Sequence, residues 1–219
     1  MKEKYFTKEN IDQECNEMIE EVKYYSGMRI FKPDHGHMAL LVVDMQNYFL
    51  DPDEHAFVPS GPVVIPNIKL IMKACRDSNI PVICTRHINT DEDAGIMGIR
   101  WHDLIREKDA RSKICKDIPV KDATVLTKPQ FDAFFQTGLE QLLHEKGIKQ
   151  LIITGVMTNL CVESTARSAF VKGFDVIIPV DATAAYNYEF HLATFLNYAY
   201  MFSRPLKTAD LIEQIQNAP

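Results

Sequence analysis

This sequence lacks three features, and each absence removes a class of function. It has no Cys-x-x-Cys pair and no repeated His/Cys spacing that would enclose zinc. Its five cysteines, Cys15, Cys75, Cys84, Cys115 and Cys161, are scattered, which points to a reduced, cytoplasmic compartment. It has no stretch that concentrates Lys and Arg, and 30 acidic against 24 basic residues leave a net charge of −6. That is the wrong sign for tracking phosphates, so nucleic acid is not an expected partner. It has no apolar run long enough to span a bilayer, and its N-terminal stretch, MKEKYFTKENIDQEC, lacks the apolar centre of a signal peptide, so neither membrane insertion nor export is expected. No internal repeat or low-complexity tract is present.

What is there suits one domain: 219 residues, 46% of them hydrophobic, are enough for a sizeable core. Residues 1–36 read as an N-terminal helical arm, with Ile11, Met18, Ile19 and Val22 at roughly helical spacing before Lys32-Pro33-Asp34-His35-Gly36. The bland role of such an arm is to cover one side of the domain that follows, residues 37–219. There, short runs rich in Val, Ile and Leu alternate with longer amphipathic stretches, the pattern of parallel strands joined by helices. Strands are expected at Ala39 to Val43, Pro81 to Thr85, Thr124 to Thr127, Gln150 to Thr154, Asp175 to Pro179 and Met201 to Pro205. Helices are expected at Val63 to Ser78, Thr137 to Lys146, Cys161 to Val171, Glu189 to Tyr200 and Thr208 to Gln216. This is a three-layer α/β/α architecture. The long irregular stretch from Arg86 to Val120 suggests a small helix around Trp101, His102, Leu104 and Ile105.

Ligands of an open parallel sheet bind outside the carboxyl ends of its strands. Those ends carry Asp44, Arg86 and His87, Lys128, the segment Gly155 to Cys161, and Asp181. A carboxylate, an ammonium and a thiol from three strand ends could meet at one point. Each also has a plainer reading: Asp44 as a helix cap, Lys128 as a solvated surface lysine, Cys161 as an inert core cysteine. Cys161 opens a helix, where unpaired backbone N–H groups and the helix dipole would lower its pKa and favour the thiolate. Cys15, Cys75 and Cys84 read as structural, and Cys115 as a loop or packing residue.

Three segments in order, Leu41-Val-Val-Asp44-Met-Gln-Asn, Thr127-Lys128-Pro-Gln-Phe131-Asp-Ala-Phe and Thr154-Gly155-Val-Met157-Thr158-Asn-Leu-Cys161-Val, resemble the signature segments of the isochorismatase-like cysteine hydrolases. The resemblance runs from about Met38 to the C-terminus. It implies a Rossmann-like, six-stranded parallel sheet and a catalytic triad of Asp44, Lys128 and Cys161. It also implies a cis peptide between Val156 and Met157 and an oxyanion hole formed by the N–H groups of Met157 and Cys161. Homo-oligomers are common among proteins of this fold.

Nicotinamidases of this family resemble one another in a metal site with an Asp-x-His pair. The matching stretch here, Thr85-Arg86-His87-Ile-Asn-Thr-Asp-Glu-Asp, keeps a histidine without that pair, so no metal and no cofactor are expected. The segment from Thr158 to Thr165 is similar to that of ureidoacrylate-type amidohydrolases, which implies a ureido, carbamoyl or simple amide compound as the small-molecule substrate. Gln46, Phe49, His87, Trp101, His102, Phe131, Tyr186 and Asn187 are candidates for contacting it. Arg86 reads either as a carboxylate clamp or as half of an ion pair, and His191 as a capping or packing residue. Three other readings stay open: vinyl-ether hydrolysis with Asp44 as acid, a catalytically idle binding member, and a redox role for Cys161.

Overall fold

In a computed structural model, residues 1–25, 33–101 and 103–217 are described; residues 26–32 of the expected arm and His102 lie outside them. The central sheet contains β1 (Met38–Val43), β2 (Val82–His87), β3 (Thr124–Lys128), β4 (Gln150–Val156), β5 (Asp175–Pro179) and β7 (Ser203–Leu206), all parallel, in the order β3-β2-β1-β4-β5-β7. The helices are α1 (Ile11–Val22), α2 (Asn47–Leu50), α3 (Gly61–Asp77), α4 (Met97–Arg100), α5 (Leu139–Glu145), α6 (Glu163–Val171), α7 (Tyr188–Asn197) and α8 (Thr208–Asn217). This is the expected three-layer α/β/α fold.

Burial explains the strand sequences. All of β1 and β4 is buried, so Met-Ala-Leu-Leu-Val-Val and Gln-Leu-Ile-Ile-Thr-Gly-Val read as near-continuous apolar runs. At the two edges the constraint relaxes: β7 carries Pro205, which an edge strand tolerates, and β3 is largely exposed until its last residue. Against the sheet, α3 turns Val64, Ile68, Ile71, Met72 and Cys75 inward at helical spacing. It begins two residues earlier than its periodicity suggests, because Pro62 is well tolerated in a first turn.

Several features escaped the sequence reading. A two-residue strand, β6 (Thr183–Ala184), adds to the sheet by pairing with the end of β4. Wide π-type turns at Thr158–Val162 and Tyr198–Phe202 occupy the start of the helix expected at Cys161 to Val171 and the end of the one expected at Glu189 to Tyr200. The small helix expected around Trp101 lies before it, as α4, and stops at Trp101, whose backbone is already extended. In the arm, α1 buries Cys15, Met18 and Val22 in the same apolar cluster as the sheet. No helix among the described residues is long and apolar enough to cross a membrane.

The chain runs outward from β1 through β2 to β3 and then returns to place β4 on the other side of β1, so the carboxyl ends of β1 and β4 open a crevice at the reversal. Val43 and Gly155 are register partners there. Gly155 has φ +108°, and a Cβ built on it would lie 2.0 Å from the Val43 carbonyl oxygen. No side chain fits without parting the two central strands. Gly155→Ala should therefore lose more than about 2 kcal/mol of stability in urea unfolding. A variant as stable as the parent would show that the strands can part cheaply.

Candidate active site

Asp44 is the first residue after β1 and has φ +50°, which turns its carboxylate back over the sheet end. Thr85 on β2 holds it there: the Asp44 N–H donates to Thr85 Oγ1 at 3.1 Å, and the Thr85 hydroxyl donates to Asp44 Oδ1 at 2.7 Å. The other oxygen, Oδ2, faces Lys128 Nζ at 2.8 Å, and both side chains are 0% exposed. A surface role for Lys128 is overturned: it is the one buried residue of β3. Its ammonium has three N–H groups, and Asp44 Oδ2, the Gln130 carbonyl at 2.8 Å and Cys161 Sγ at 3.3 Å are there to receive them. Burial works against its charge, but the Asp44 carboxylate and the Cys161 sulfur outweigh it, and its pKa is raised.

Cys161 lies in the π-type turn between β4 and α6, with its thiol at the inner wall of a narrow, largely apolar cavity. The expectation of a lowered pKa fails. Burial pushes the thiol up to about 12; Lys128 pulls it down, and the carboxylate of Asp44 pushes it up again. A helix terminus cannot compensate for complete removal from water beside a carboxylate. Burial thus favours the neutral thiol over the thiolate.

Phe49, His87, Trp101 and Phe131 line the cavity with Cys161 and Met157, as do Tyr48, Asn89, Met97, Asp103 and Ile105, which the sequence reading missed. Period-two spacing offered a signal for one further group: Thr85 precedes His87 by two residues on β2, on the same face of the sheet. The peptide between Val156 and Met157 is cis.

Three other predicted residues stand elsewhere. Gln46 lies behind the cavity, where its amide accepts from the His87 N–H at 2.7 Å and donates to the carbonyls of His87 and Ser112. Tyr186 and Asn187 engage the N-terminal segment: the Glu3 N–H donates to the Tyr186 carbonyl, Lys2 lies over the Tyr186 ring, and Asn187 donates to the Met1 carbonyl while capping α7. A side chain needed to cap a helix is not free to meet a substrate. Arg86 pairs with Glu107 at 3.0 Å, Asp181 receives the N–H and hydroxyl of Thr208, and His191 is a packed core residue between Thr158 and the Val180 carbonyl. Cys15, Cys75 and Cys84 are buried and unbridged.

Among the described residues, no group of three or more His, Cys, Asp or Glu side chains converges as a metal site would require. His87 is neutral: burial and the nearby Lys128 hold its pKa down to about 4.

Residues 38–210 match the Isochorismatase domain family. The chain is 37% identical over 177 residues to Nicotinamidase 3 of Arabidopsis thaliana, covering 78% of this chain and 85% of that protein. It is 30% identical over 211 residues to a ureidoacrylate amidohydrolase of Enterobacter sp. (strain 638), covering 84% of this chain and 91% of that one. Among solved structures, a cysteine hydrolase from Pseudomonas syringae pv. phaseolicola 1448A superposes with a TM-score of 0.83 at 25% identity, over 87% of this chain and 97% of the other.

The charge arrangement predicts how Cys161 reacts. Alkylation by iodoacetamide, followed at the Cys161 peptide by mass spectrometry, should be slow at neutral pH and rise as the solution becomes alkaline. Asp44→Asn removes the carboxylate that raises the thiol and leaves the Lys128 charge that lowers it, so its profile should move to lower pH. An unmoved or upward-shifted profile would contradict this account.

Proposed function

This chain belongs to the isochorismatase family of hydrolases, and from that premise we propose that it is a metal-independent cysteine hydrolase that cleaves an amide or ureido C–N bond of a small molecule through a Cys161 thioester. The observation that carries the proposal is the buried contact of Lys128 with both Asp44 and Cys161. Relatives named as a nicotinamidase and a ureidoacrylate amidohydrolase support the bond type.

The chemistry follows from conserving charge. At rest the cluster holds a carboxylate, an ammonium and a neutral thiol. When the Cys161 proton passes to Asp44, it holds a carboxylic acid, an ammonium and a thiolate, so the nucleophile forms without burying any additional net charge. The thiolate attacks the substrate carbonyl, and the backbone N–H groups of Met157 and Cys161 receive the developing oxyanion, a contribution of about 3 kcal/mol for a well-placed donor. Collapse expels the nitrogen, which takes its proton from Asp44. A water that gives a proton to Asp44 then attacks the thioester; the C–S bond breaks, the acid product leaves, and the Cys161 sulfur recovers its proton from Asp44. In this scheme Thr85 is a positioning residue, because it fixes which oxygen of Asp44 faces the reaction.

The first test is ammonia release from ureido acids, carbamoyl compounds, nicotinamide and simple amides with a chelator present. Turnover should resist the chelator and fall by about 10³-fold or more in Cys161→Ala. No release across the panel, with isochorismate cleaved equally by both proteins, would transfer the chemistry to Asp44 alone. For Thr85→Val, kcat should fall by about tenfold or more with KM nearly unchanged, since the lost hydrogen bond orients the base and does not touch substrate. A change confined to KM would place Thr85 in substrate binding instead.

A further inference from the structure

The cavity holds one polar atom that the hydrolytic scheme leaves unused. His87 is 6% exposed and lines the cavity, and its Nδ1 is buried without a hydrogen-bond partner. The Gln130 carbonyl stands beside the ring and accepts from Lys128, but a carbonyl oxygen cannot donate, so it offers a bare Nδ1 no partner. A buried polar atom left unpaired is costly, and one on a cavity wall is a place for a ligand.

The character of that atom is set by Asn89. The Asn89 amide nitrogen donates to the Pro129 carbonyl at 2.7 Å and to Asp93 Oδ1 at 3.1 Å. Both partners accept only, so the amide cannot be turned around, and its oxygen must face His87 Nε2, 2.9 Å away. An amide oxygen cannot donate, so His87 carries its proton on Nε2, and Nδ1 presents a lone pair. Asn89 is thereby a positioning residue for His87.

The charge of the cavity points the same way. Among the described residues no Lys or Arg lines it, and its one carboxylate is Asp103. Three guanidinium groups of the surrounding segment are occupied: Arg86 by Glu107, Arg106 by Asp91, and Arg111 by Asp103, Asp109 and Glu54. A substrate carboxylate placed here would lose its water beside Asp103 and meet no Lys or Arg on the cavity lining.

Building on the hydrolytic reading above, we propose that His87, fixed by Asn89 as a hydrogen-bond acceptor, selects an uncharged substrate that bears an N–H beside the scissile carbonyl, the pattern of a neutral ureido compound. The expelled nitrogen faces Asp44, which must hand it a proton, and His87 reads the N–H on the other side of the carbonyl. Nicotinamide, with only a ring acceptor beyond its amide, and ureido acids, with a carboxylate, both fit this cavity less well.

The test uses three compounds on one scaffold: butylurea; butyl carbamate, in which that N–H is replaced by oxygen; and 4-ureidobutanoate, which adds a carboxylate. Their dissociation constants are measured on the full-length Cys161→Ala protein. Butylurea is expected to bind at least about tenfold more tightly than either of the others, the effect of one hydrogen bond to a buried acceptor or of one unpaired charge. His87→Leu is expected to bring the urea-to-carbamate ratio close to one, and His87→Gln, which restores an acceptor, to recover part of it. Histidine 15N NMR, with the His87 signals assigned by their loss in His87→Leu, is expected to show Nε2 protonated and Nδ1 bare, with the Nδ1 signal moving on addition of butylurea. Equal binding of urea and carbamate, tighter binding of 4-ureidobutanoate, no binding of butylurea, or a proton on Nδ1 would each overturn the proposal. Turnover separates it from the reading beneath it. Selective binding without ammonia release by the parent enzyme would remove the hydrolase and leave His87 as the selector. Release from all three compounds without preference would keep the hydrolase and remove the selector.

Discussion

The ion pair between Lys128 and Asp44, entirely removed from water, is the constraint around which this fold is arranged. Such a pair is expensive to bury and persists only where each charge has its partners in place. Here the partners come from four strands: Asp44 leaves β1, Thr85 steadies it from β2, Lys128 ends β3, and Cys161 follows β4. None of these is close to the others in sequence. Only a sheet in which β1 lies between β2 and β4 gathers them at one end, so topology serves here to neutralise a charge. The same arrangement makes the chemistry symmetrical. A proton moving between Cys161 and Asp44 leaves the cluster's net charge where it was, and a cysteine with a raised pKa can still become a nucleophile when a base lies beside it.

Much of this was legible in the chain. Buried strands announce themselves as apolar runs because both of their faces are covered, and each expected strand stands within a few residues of its place. The three signature segments also named the residues that the sheet then gathers. Legibility ended where an interaction depends on distant partners. The short run Thr-Val-Leu-Thr-Lys of β3 gave no sign that Lys128 is its single buried residue, because the reason for burying it, Asp44, lies 84 positions away. The Cys161 pKa was misread for a related cause: local helix geometry is visible in sequence, whereas desolvation by surrounding elements is not. Tyr186 and Asn187 stand close to a strand end, as expected, yet the N-terminal segment claims them, and no local pattern marks that contact.

A second layer of amides shapes the site without taking part in the chemistry. The Gln46 side chain spends its three hydrogen bonds on the backbones of His87 and Ser112, holding the end of β2 against the segment after β1. Asn89 ties the same loop to Pro129 and Asp93 while facing His87. Amides suit this work because they donate and accept in fixed directions and carry no charge into a region that already contains a buried ion pair. Tyr48 continues the pattern at the outer wall, accepting from the Trp101 indole at 2.9 Å and donating to the Asp103 carbonyl at 2.7 Å. These bonds pin an otherwise irregular loop, and they explain how residues outside regular elements can define a narrow cavity.

The N-terminal segment bears on the same architecture from the opposite side. The Phe6 N–H donates to the Ser60 hydroxyl, the Tyr5 hydroxyl accepts from the Ala185 N–H, and both rings pack against His191. His191 in turn joins the Val180 carbonyl to the Thr158 hydroxyl, at the first residue of the turn that carries Cys161. Burial holds the His191 pKa down to about 3, so the ring is neutral; with Nε2–H donating to the carbonyl, Nδ1 accepts from the Thr158 hydroxyl. The turn behind the nucleophile is thus steadied by a neutral histidine that the first residues of the chain help to enclose. This gives the segment ahead of β1 a structural connection to the thiol that its distance in sequence does not suggest.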